Sequence, residues 1–144
     1  MLTRRSRARE VVLQLLFQHD HNPKLERAAI EEFARERLRD AAPRRFCLEL
    51  YDGVVKEQQA LDQRLNAVAE NWRVPRMPTV DRNVLRLGAY ELLFTPQTPP
   101  AAVLDEAIEL ARRFGSKDSP AFVNGVLDRL KNAEGGTAEK GQDV

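Results

Sequence analysis

Apolar residues recur along this chain every three or four positions, and polar or charged residues fill most positions between them. This period is typical of an α-helix with one buried face. Strand-like alternation is absent, so the pattern predicts an all-helical fold. The predicted helices run from Thr3 to about Gln18 and, approximately, over residues 25–38 and 44–71. Three more run from a cap at Thr79 or Asp81 to about 94, from the end of a proline-rich turn at 95–100 to 114, and from Pro120 to about 131.

Local signals support several of these helix ends. Thr3 is a predicted N-cap, and the break at 42–43 is attributed to Pro43. Gly115 is the predicted stop of the fifth helix. Ser119 followed by Pro120 predicts an N-cap with proline at the first helical position.

Prolines also suggest how the chain is divided. Residues 72–78 contain two prolines within four positions, which forbids a continuous helix and predicts a linker. We therefore expect a helical bundle of two three-helix-type subdomains, over residues 1–75 and 76–131. From residue 132 the periodicity is lost, and a disordered tail is predicted over 132–144.

Composition narrows the class of protein. The chain has 144 residues, a single cysteine and a formal net charge of +1. One cysteine excludes an internal disulfide and favours a reducing, cytosolic compartment. No apolar run approaches the roughly 20 residues needed to cross a membrane. We therefore expect a cytoplasmic protein with no membrane association.

Motifs that carry chemistry are missing from the sequence, so no catalytic residues, cofactor or metal site are predicted. His19 and His21 are two positions apart in a predicted turn, but a metal site needs three or four ligands. Cys47 has Arg44 and Arg45 nearby, which would lower the pKa of its thiol. Without a base in view, we interpret it as a small core residue.

The first ten residues hold a local excess of positive charge. Four arginines, Arg4, Arg5, Arg7 and Arg9, stand there against Glu10. We expect Arg7 and Arg9 to flank the apolar stripe of the first helix. The planar guanidinium group suits phosphates and stacks on unpaired bases. From the residues alone, an RNA-binding helix end and a basic terminus without a ligand remain equally open.

A second candidate site is the start of the last helix. An aromatic ring at Phe122, close to Lys117 and Asn124, could stack on a base while polar groups contact its edge. The alternative is that Phe122 packs against Val126 in the core.

Together these features resemble the NusB family of bacterial transcription antitermination factors. The match covers about residues 4–131 in order and spacing. Three blocks carry it: Arg5–Glu10, Val80–Leu92, and Glu106–Ala111 continuing into Phe114–Asp128. The last block is the most specific.

The resemblance implies a fold and a function. The family is all-helical, and its members bind the boxA element of ribosomal RNA leader transcripts. They do so with NusE, a small-subunit ribosomal protein, and help RNA polymerase resist premature termination within an antitermination complex. Relatives occur as monomers or homodimers, so a homodimer remains open here.

By resemblance, Arg5, Arg7 and Arg9 form the arginine-rich RNA-binding motif. Asp118 and Phe122 match positions implicated in RNA contact or its support, and Asp81 matches an acidic position that faces NusE. The chain departs from some relatives: Ser6 replaces an arginine, Phe17 a tyrosine, and Asp81 a longer glutamate.

The predicted function is therefore a non-enzymatic RNA-binding adaptor. A single RNA strand would contact the arginines of the first helix and the start of the last helix. The alternative is a helical protein-interaction module with no RNA affinity of its own. An RNA methyltransferase is rejected, because the sequence lacks a glycine-rich cofactor-binding βα unit.

Overall fold

Six α-helices account for most of the chain in the computed structural model. It describes the backbone of residues 3–70 and 72–142, and the side chains of these residues as far as Glu134. In chain order the helices are α1 (Arg4–His21), α2 (Arg27–Arg37), α3 (Ala41–Val68), α4 (Thr79–Phe94), α5 (Pro100–Phe114) and α6 (Ser119–Gln142), with a 3₁₀ turn at Val74–Arg76. The described residues contain no strand, which confirms the predicted all-helical fold.

Most helix ends lie within a few residues of the prediction, and each difference has a local cause. Thr3 is confirmed as an N-cap, because its hydroxyl oxygen accepts a hydrogen bond of 3.0 Å from the Ser6 N–H. α1 continues to His21, so His19 and His21 lie on a helix and not in a turn. Pro43 lies in the first turn of α3, where its missing N–H leaves no helical hydrogen bond unmade.

Contacts divide the chain into two compact units, Met1–Glu57 and Gln58–Val144, so that the division falls within α3. In the first unit, α1 packs against α2. A broad face of α1 is buried, including Ala8, Val11 and Leu15.

In the second unit, α4, α5 and α6 pack pairwise against one another. Gly88 allows the close approach of α4 and α6, because a Cβ atom there would lie 2.7 Å from Leu127 Cδ1. The guanidinium group of Arg86 on α4 donates to both carboxylate oxygens of Asp62 on α3, at 2.8 and 2.9 Å.

The predicted linker at 72–78 is partly packed. Val74 and Met77 are buried, and the Val74 N–H donates to Asn66 Oδ1 at 2.8 Å. The prolines interrupt the helical backbone here, but the segment stays packed against its own unit. The predicted subdomains, 1–75 and 76–131, differ from the observed units and stay a prediction.

The predicted tail also differs at its start. Residues 132–134 continue α6, whose backbone extends to Gln142. Side chains beyond Glu134, and residues 143 and 144 altogether, lie outside the described part of the chain. Disorder of the tail there stays a prediction.

Candidate nucleic-acid interface

The start of α1 presents arginines to solvent. Arg4, Arg5 and Arg7 are exposed, whereas Ser6 is buried between them. Arg7 donates to Glu10 Oε2 at 3.2 Å, and Glu10 itself is only 2% exposed in its side chain. The Arg7 guanidinium is therefore oriented by a buried carboxylate while remaining 45% exposed. Such a group is available to an anionic ligand.

Arg9 differs from the prediction that it flanks the apolar stripe at the surface. It is only 4% exposed, because the buried face of α1 is wider than a single stripe. The guanidinium carbons of Arg9 and Arg5 lie 5.2 and 4.5 Å from the ring centroid of Phe46. These cation–π contacts support the helix end, and a direct RNA contact by Arg9 stays a prediction.

The turn between α5 and α6 exposes the second set of predicted residues. Lys117, Asp118 and Asn124 are exposed, and Phe122 is half-buried. The Phe122 N–H donates to the Asp118 carbonyl oxygen at 3.1 Å, which begins the hydrogen bonding of α6. Val126 is fully buried, so the partial exposure of Phe122 argues against a purely core role for its ring.

Ser119 holds this turn together, a role that the sequence did not predict. It does not act as the predicted N-cap, because α6 already includes it. Its hydroxyl oxygen accepts from the Ser116 N–H at 2.9 Å, and its O–H donates to Asp81 Oδ1 at 2.6 Å. The buried serine therefore ties the turn to the first turn of α4.

Asp81, predicted to face NusE, is only 5% exposed. Its carboxylate is engaged by Ser119 and lies in the first turn of α4, where the helix dipole favours a negative charge. The described geometry thus gives Asp81 a clear structural task. Its contact with NusE stays a prediction.

Trp72 is the residue that sequence reasoning missed. It was interpreted as part of a linker, yet this large residue is 48% exposed. With Phe122 it lines two surface cavities of about 280 and 220 Å³. Asp118 lines the larger cavity and Arg129 the smaller. The available signal was a tryptophan in a polar, proline-containing segment, where no apolar helical face accounts for it.

The cysteine and the histidines, which were considered for thiol chemistry or metal binding, have structural roles instead. Cys47 is fully buried, in agreement with its interpretation as a small core residue, and desolvation raises the pKa of its thiol to about 12. His21 stacks on Phe17, with ring centroids 5.1 Å apart. Among the described residues, no group of three or more potential ligands could hold a metal ion. No described helix is both long and apolar enough to cross a lipid bilayer.

The fold and these two surfaces define an all-helical binding protein. Its exposed groups, guanidinium groups and aromatic rings, are those that contact phosphates and unpaired bases. The NusB family model matches residues 6–132. The chain belongs to the NusB family, which confirms the resemblance noted in its sequence.

Individual relatives agree with this assignment. The chain is 46% identical over 126 residues to transcription antitermination protein NusB of Sorangium cellulosum, covering 88% of this chain and 90% of the relative. It is 41% identical over 130 residues to the protein of that name from Streptomyces avermitilis, covering 88% and 90%.

Solved structures show the same fold. T. maritima NusB superposes with a TM-score of 0.80 at 36% identity, over 92% of this chain and 93% of that one. A crystal structure of antitermination factors NusB and NusE in complex with dsRNA gives a TM-score of 0.82 at 25% identity, over 92% and 99%.

Proposed function

We propose that this chain is a transcription antitermination factor that binds boxA-type RNA together with NusE. The family assignment and the names of its relatives support this function. One related structure holds NusB with NusE and dsRNA. The observation that carries the proposal is the exposure of Arg4, Arg5 and Arg7 at one helix end.

Arginines at the start of α1 would contact RNA phosphates. Arg4 and Arg7 are exposed, and each has a carboxylate partner in the first unit, Asp40 and Glu10 respectively. Exchanging the exposed Asp40 partner for a phosphate costs little, since exposed ion pairs contribute at most about 1 kcal/mol. Arg5 and Arg9 would stabilise the helix end through Phe46. This part of the affinity depends on salt, because binding releases counterions from the RNA.

Aromatic rings of the second unit would contact bases. Phe122 and Trp72 offer ring faces on which unpaired bases stack. Lys117 and Asn124 offer donors to phosphates or base edges, and Asp118 accepts hydrogen bonds from base amino groups. This part of the affinity is less sensitive to salt, because stacking neutralises no phosphate.

NusE would bind the second unit near the start of α4, by resemblance. Because Asp81 is buried, we propose that it shapes this surface through Ser119, in addition to any contact of its own. The complex would join the RNA polymerase antitermination complex in the cytoplasm. In this role the protein carries out no catalysis.

The test is binding of the purified chain to a short boxA-like RNA, with and without NusE, across a salt series. Wild type is compared with Arg4→Ala/Arg7→Ala, with Phe122→Leu and with Arg112→Ala. Arg112 is an exposed arginine of α5 that lines neither surface, so it is the matched control.

We expect the double arginine variant to make the negative slope of log affinity against log salt shallower by about 1.4, since each single-strand phosphate contact contributes about −0.7. Phe122→Leu should weaken binding by about 1–3 kcal/mol with the slope unchanged. NusE should strengthen wild-type binding. If NusE binds but no RNA affinity is measured in any condition, the protein-interaction module replaces this proposal.

A further inference from the structure

The first unit contains a surface cavity lined by arginines from separate segments of the chain. It has a volume of about 390 Å³. Its cationic side chains are Arg4 and Arg7 at the start of α1, and Arg37 and Arg39 at and after the end of α2. The last two lie far along the chain from the arginine-rich first ten residues, and no sequence motif marks them.

Backbone geometry explains why Arg37 and Arg39 reach solvent. Leu38, between them, has an extended backbone and a buried side chain. Neighbouring side chains on an extended backbone point to opposite sides, so the two arginines are exposed.

Arg44 fixes the shape of this segment. Its Nη1 donates to the carbonyl oxygens of Leu38 and Arg39, both at 3.2 Å.

Arg37 is held in place by Phe33 and Glu36. Its guanidinium carbon lies 3.4 Å from the Phe33 ring centroid, and its Nη1 is 3.5 Å from Glu36 Oε2. The cationic groups therefore stand on a preformed loop, which lowers the entropy lost when a ligand binds.

Charge in the cavity favours an anion. Four guanidinium groups line it against two carboxylates, Glu36 and Asp40. Asp40 pairs with Arg4, and both side chains are about two-thirds exposed, at 65% and 68%. Among the residues that the structure describes, the Arg39 side chain has no hydrogen-bond or ion-pair partner. Arg39 is therefore the group most available to a ligand.

We propose that this cavity is a phosphate-binding subsite for the RNA backbone, with Arg37 and Arg39 as contacts additional to the first helix. The inference rests on the proposed RNA-binding function. RNA is favoured as the occupant because Arg4 and Arg7 belong both to the cavity and to the arginine-rich helix end. Asp40 acts as an internal competitor, since its carboxylate occupies Arg4 in the absence of RNA.

The experiment measures binding of the full chain to the boxA-like RNA across a salt series. Variants are Arg39→Ala, Asp40→Asn and Arg7→Ala, with Arg35→Ala as the matched control. Arg35 is an exposed arginine of α2 that does not line the cavity. Inorganic phosphate is titrated in parallel as a competitor, and circular dichroism verifies that each variant is folded.

Arg39→Ala should weaken RNA binding about threefold to tenfold and make the negative salt slope shallower by about 0.7, the loss of one phosphate contact. Asp40→Asn should strengthen RNA binding severalfold, because Arg4 no longer has a competing carboxylate. A purely structural role for Asp40 predicts no such gain. Inorganic phosphate should compete only at concentrations far above those of RNA, since it engages one subsite alone.

Two failures can be told apart. If wild type binds RNA and Arg7→Ala weakens it, but Arg39→Ala and Asp40→Asn behave as Arg35→Ala does, the subsite is wrong and the proposed function stands. If inorganic phosphate displaces no RNA while binding tightly to the cavity, the occupant is a free anion and the subsite is again wrong. If wild type binds no RNA, the proposed function is overturned together with the subsite.

Discussion

Glycine is required at position 115 because of the atoms around it and not because of its backbone angles. Its φ of −98° is open to any residue, but a Cβ atom would lie 2.7 Å from Ser119 Cβ and 2.8 Å from the Ala111 carbonyl oxygen. Neither atom is the far end of a flexible side chain, so backbone must shift to relieve the overlap. The glycine therefore permits the tight turn that presents Lys117 and Asp118.

Gly115→Ala should lower the free energy of unfolding by about 1–3 kcal/mol, the usual cost of overpacking. The control is Gly125→Ala within α6, where a Cβ atom meets only Arg129 Nη1, at 3.5 Å. There alanine should stabilise the helix by about 0.5–1 kcal/mol. Urea unfolding of the two variants measures both. Equal effects of the two substitutions would contradict the steric argument.

Ser119 offers a second test at the scale of one side chain. Ser119→Ala should destabilise the chain by about 1–3 kcal/mol, because the buried Asp81 carboxylate loses the hydrogen bond that Ser119 donates. Ser116→Ala is the control: it removes the 3.2 Å contact between the exposed Ser116 hydroxyl and that of Ser119 but leaves the Ser119–Asp81 hydrogen bond in place, so its effect should stay within about 0.5 kcal/mol. Thermal unfolding provides the comparison, and an effect at Ser119 no larger than at Ser116 would show that the link contributes little.

Single positions were the hardest to predict from the sequence. Arg9 and Asp81 were expected at the surface, yet both are buried, because neighbouring helices cover positions that a single helix would expose. Trp72 went unnoticed for the opposite reason: an aromatic residue in a loop gives no periodic signal. Exposure depends on what packs over a residue, and periodicity along one element does not contain that information.

Helices, in contrast, follow closely from the sequence. All six were predicted, because the spacing of apolar residues and the residues that mark helix ends are local properties of each segment. The errors are at helix starts such as Pro43 and Ser119. Both residues were placed just before a helix but lie in its first turn, because proline and serine are common at either position. What joins one helix to another was not predicted, and the Arg86–Asp62 pair is the clearest case.

Arg86 links α4 to the second part of α3 at a site that is nearly closed to water, with its side chain 7% exposed and that of Asp62 23% exposed. Arg86→Met should destabilise the chain by about 2–3 kcal/mol, somewhat below the loss for a fully buried pair, because Asp62 is left without its partner while partly hydrated. Urea unfolding of Arg86→Met, Asp62→Asn and the double variant measures the coupling between the two residues.

Arg112→Ala is the matched control for this prediction. Its ion pair with Glu109 is exposed, so its loss should change stability by no more than about 0.5 kcal/mol. Additive effects of the Arg86 and Asp62 substitutions would mean that the two residues act independently.

At the scale of the whole molecule, stability should fall in alkaline solution. Burial raises the pKa of Cys47 from 9.0 to about 12, and it raises the pKa of Tyr51 as well. The folded state therefore keeps these protons after the unfolded chain has lost them. The resulting stability is complete below pH 9 and declines as pH rises towards 12, by up to about 1.4 kcal/mol per pH unit for each group.

Cys47→Ala removes the larger of these contributions. We expect its free energy of unfolding to decline less steeply than that of wild type between pH 9 and 10.5, as measured by urea unfolding at a series of pH values. Parallel curves for the two proteins would show that the thiol does not titrate differently on unfolding.

Division of the chain into units is also a property of the whole molecule, and the predicted boundary near residue 75 stays a prediction. Prolines at 75 and 78 marked the most visible interruption of helix, but the observed division falls within the uninterrupted α3. Compactness depends on contacts between distant residues, whereas prolines report only on the backbone around them. The function followed more directly from the sequence, because the residue blocks that resemble a family can be recognised without knowing what they contact.

The turn held by Ser119 also has a thermodynamic consequence for recognition. A loop that is free before binding must give up backbone freedom worth about 1–2 kcal/mol for every residue that a ligand orders. Lys117 and Asp118 lie between two residues, Ser116 and Ser119, that are already fixed by hydrogen bonds to each other. Most of that loss occurs when the chain folds, so a ligand of this turn meets a backbone that is already ordered.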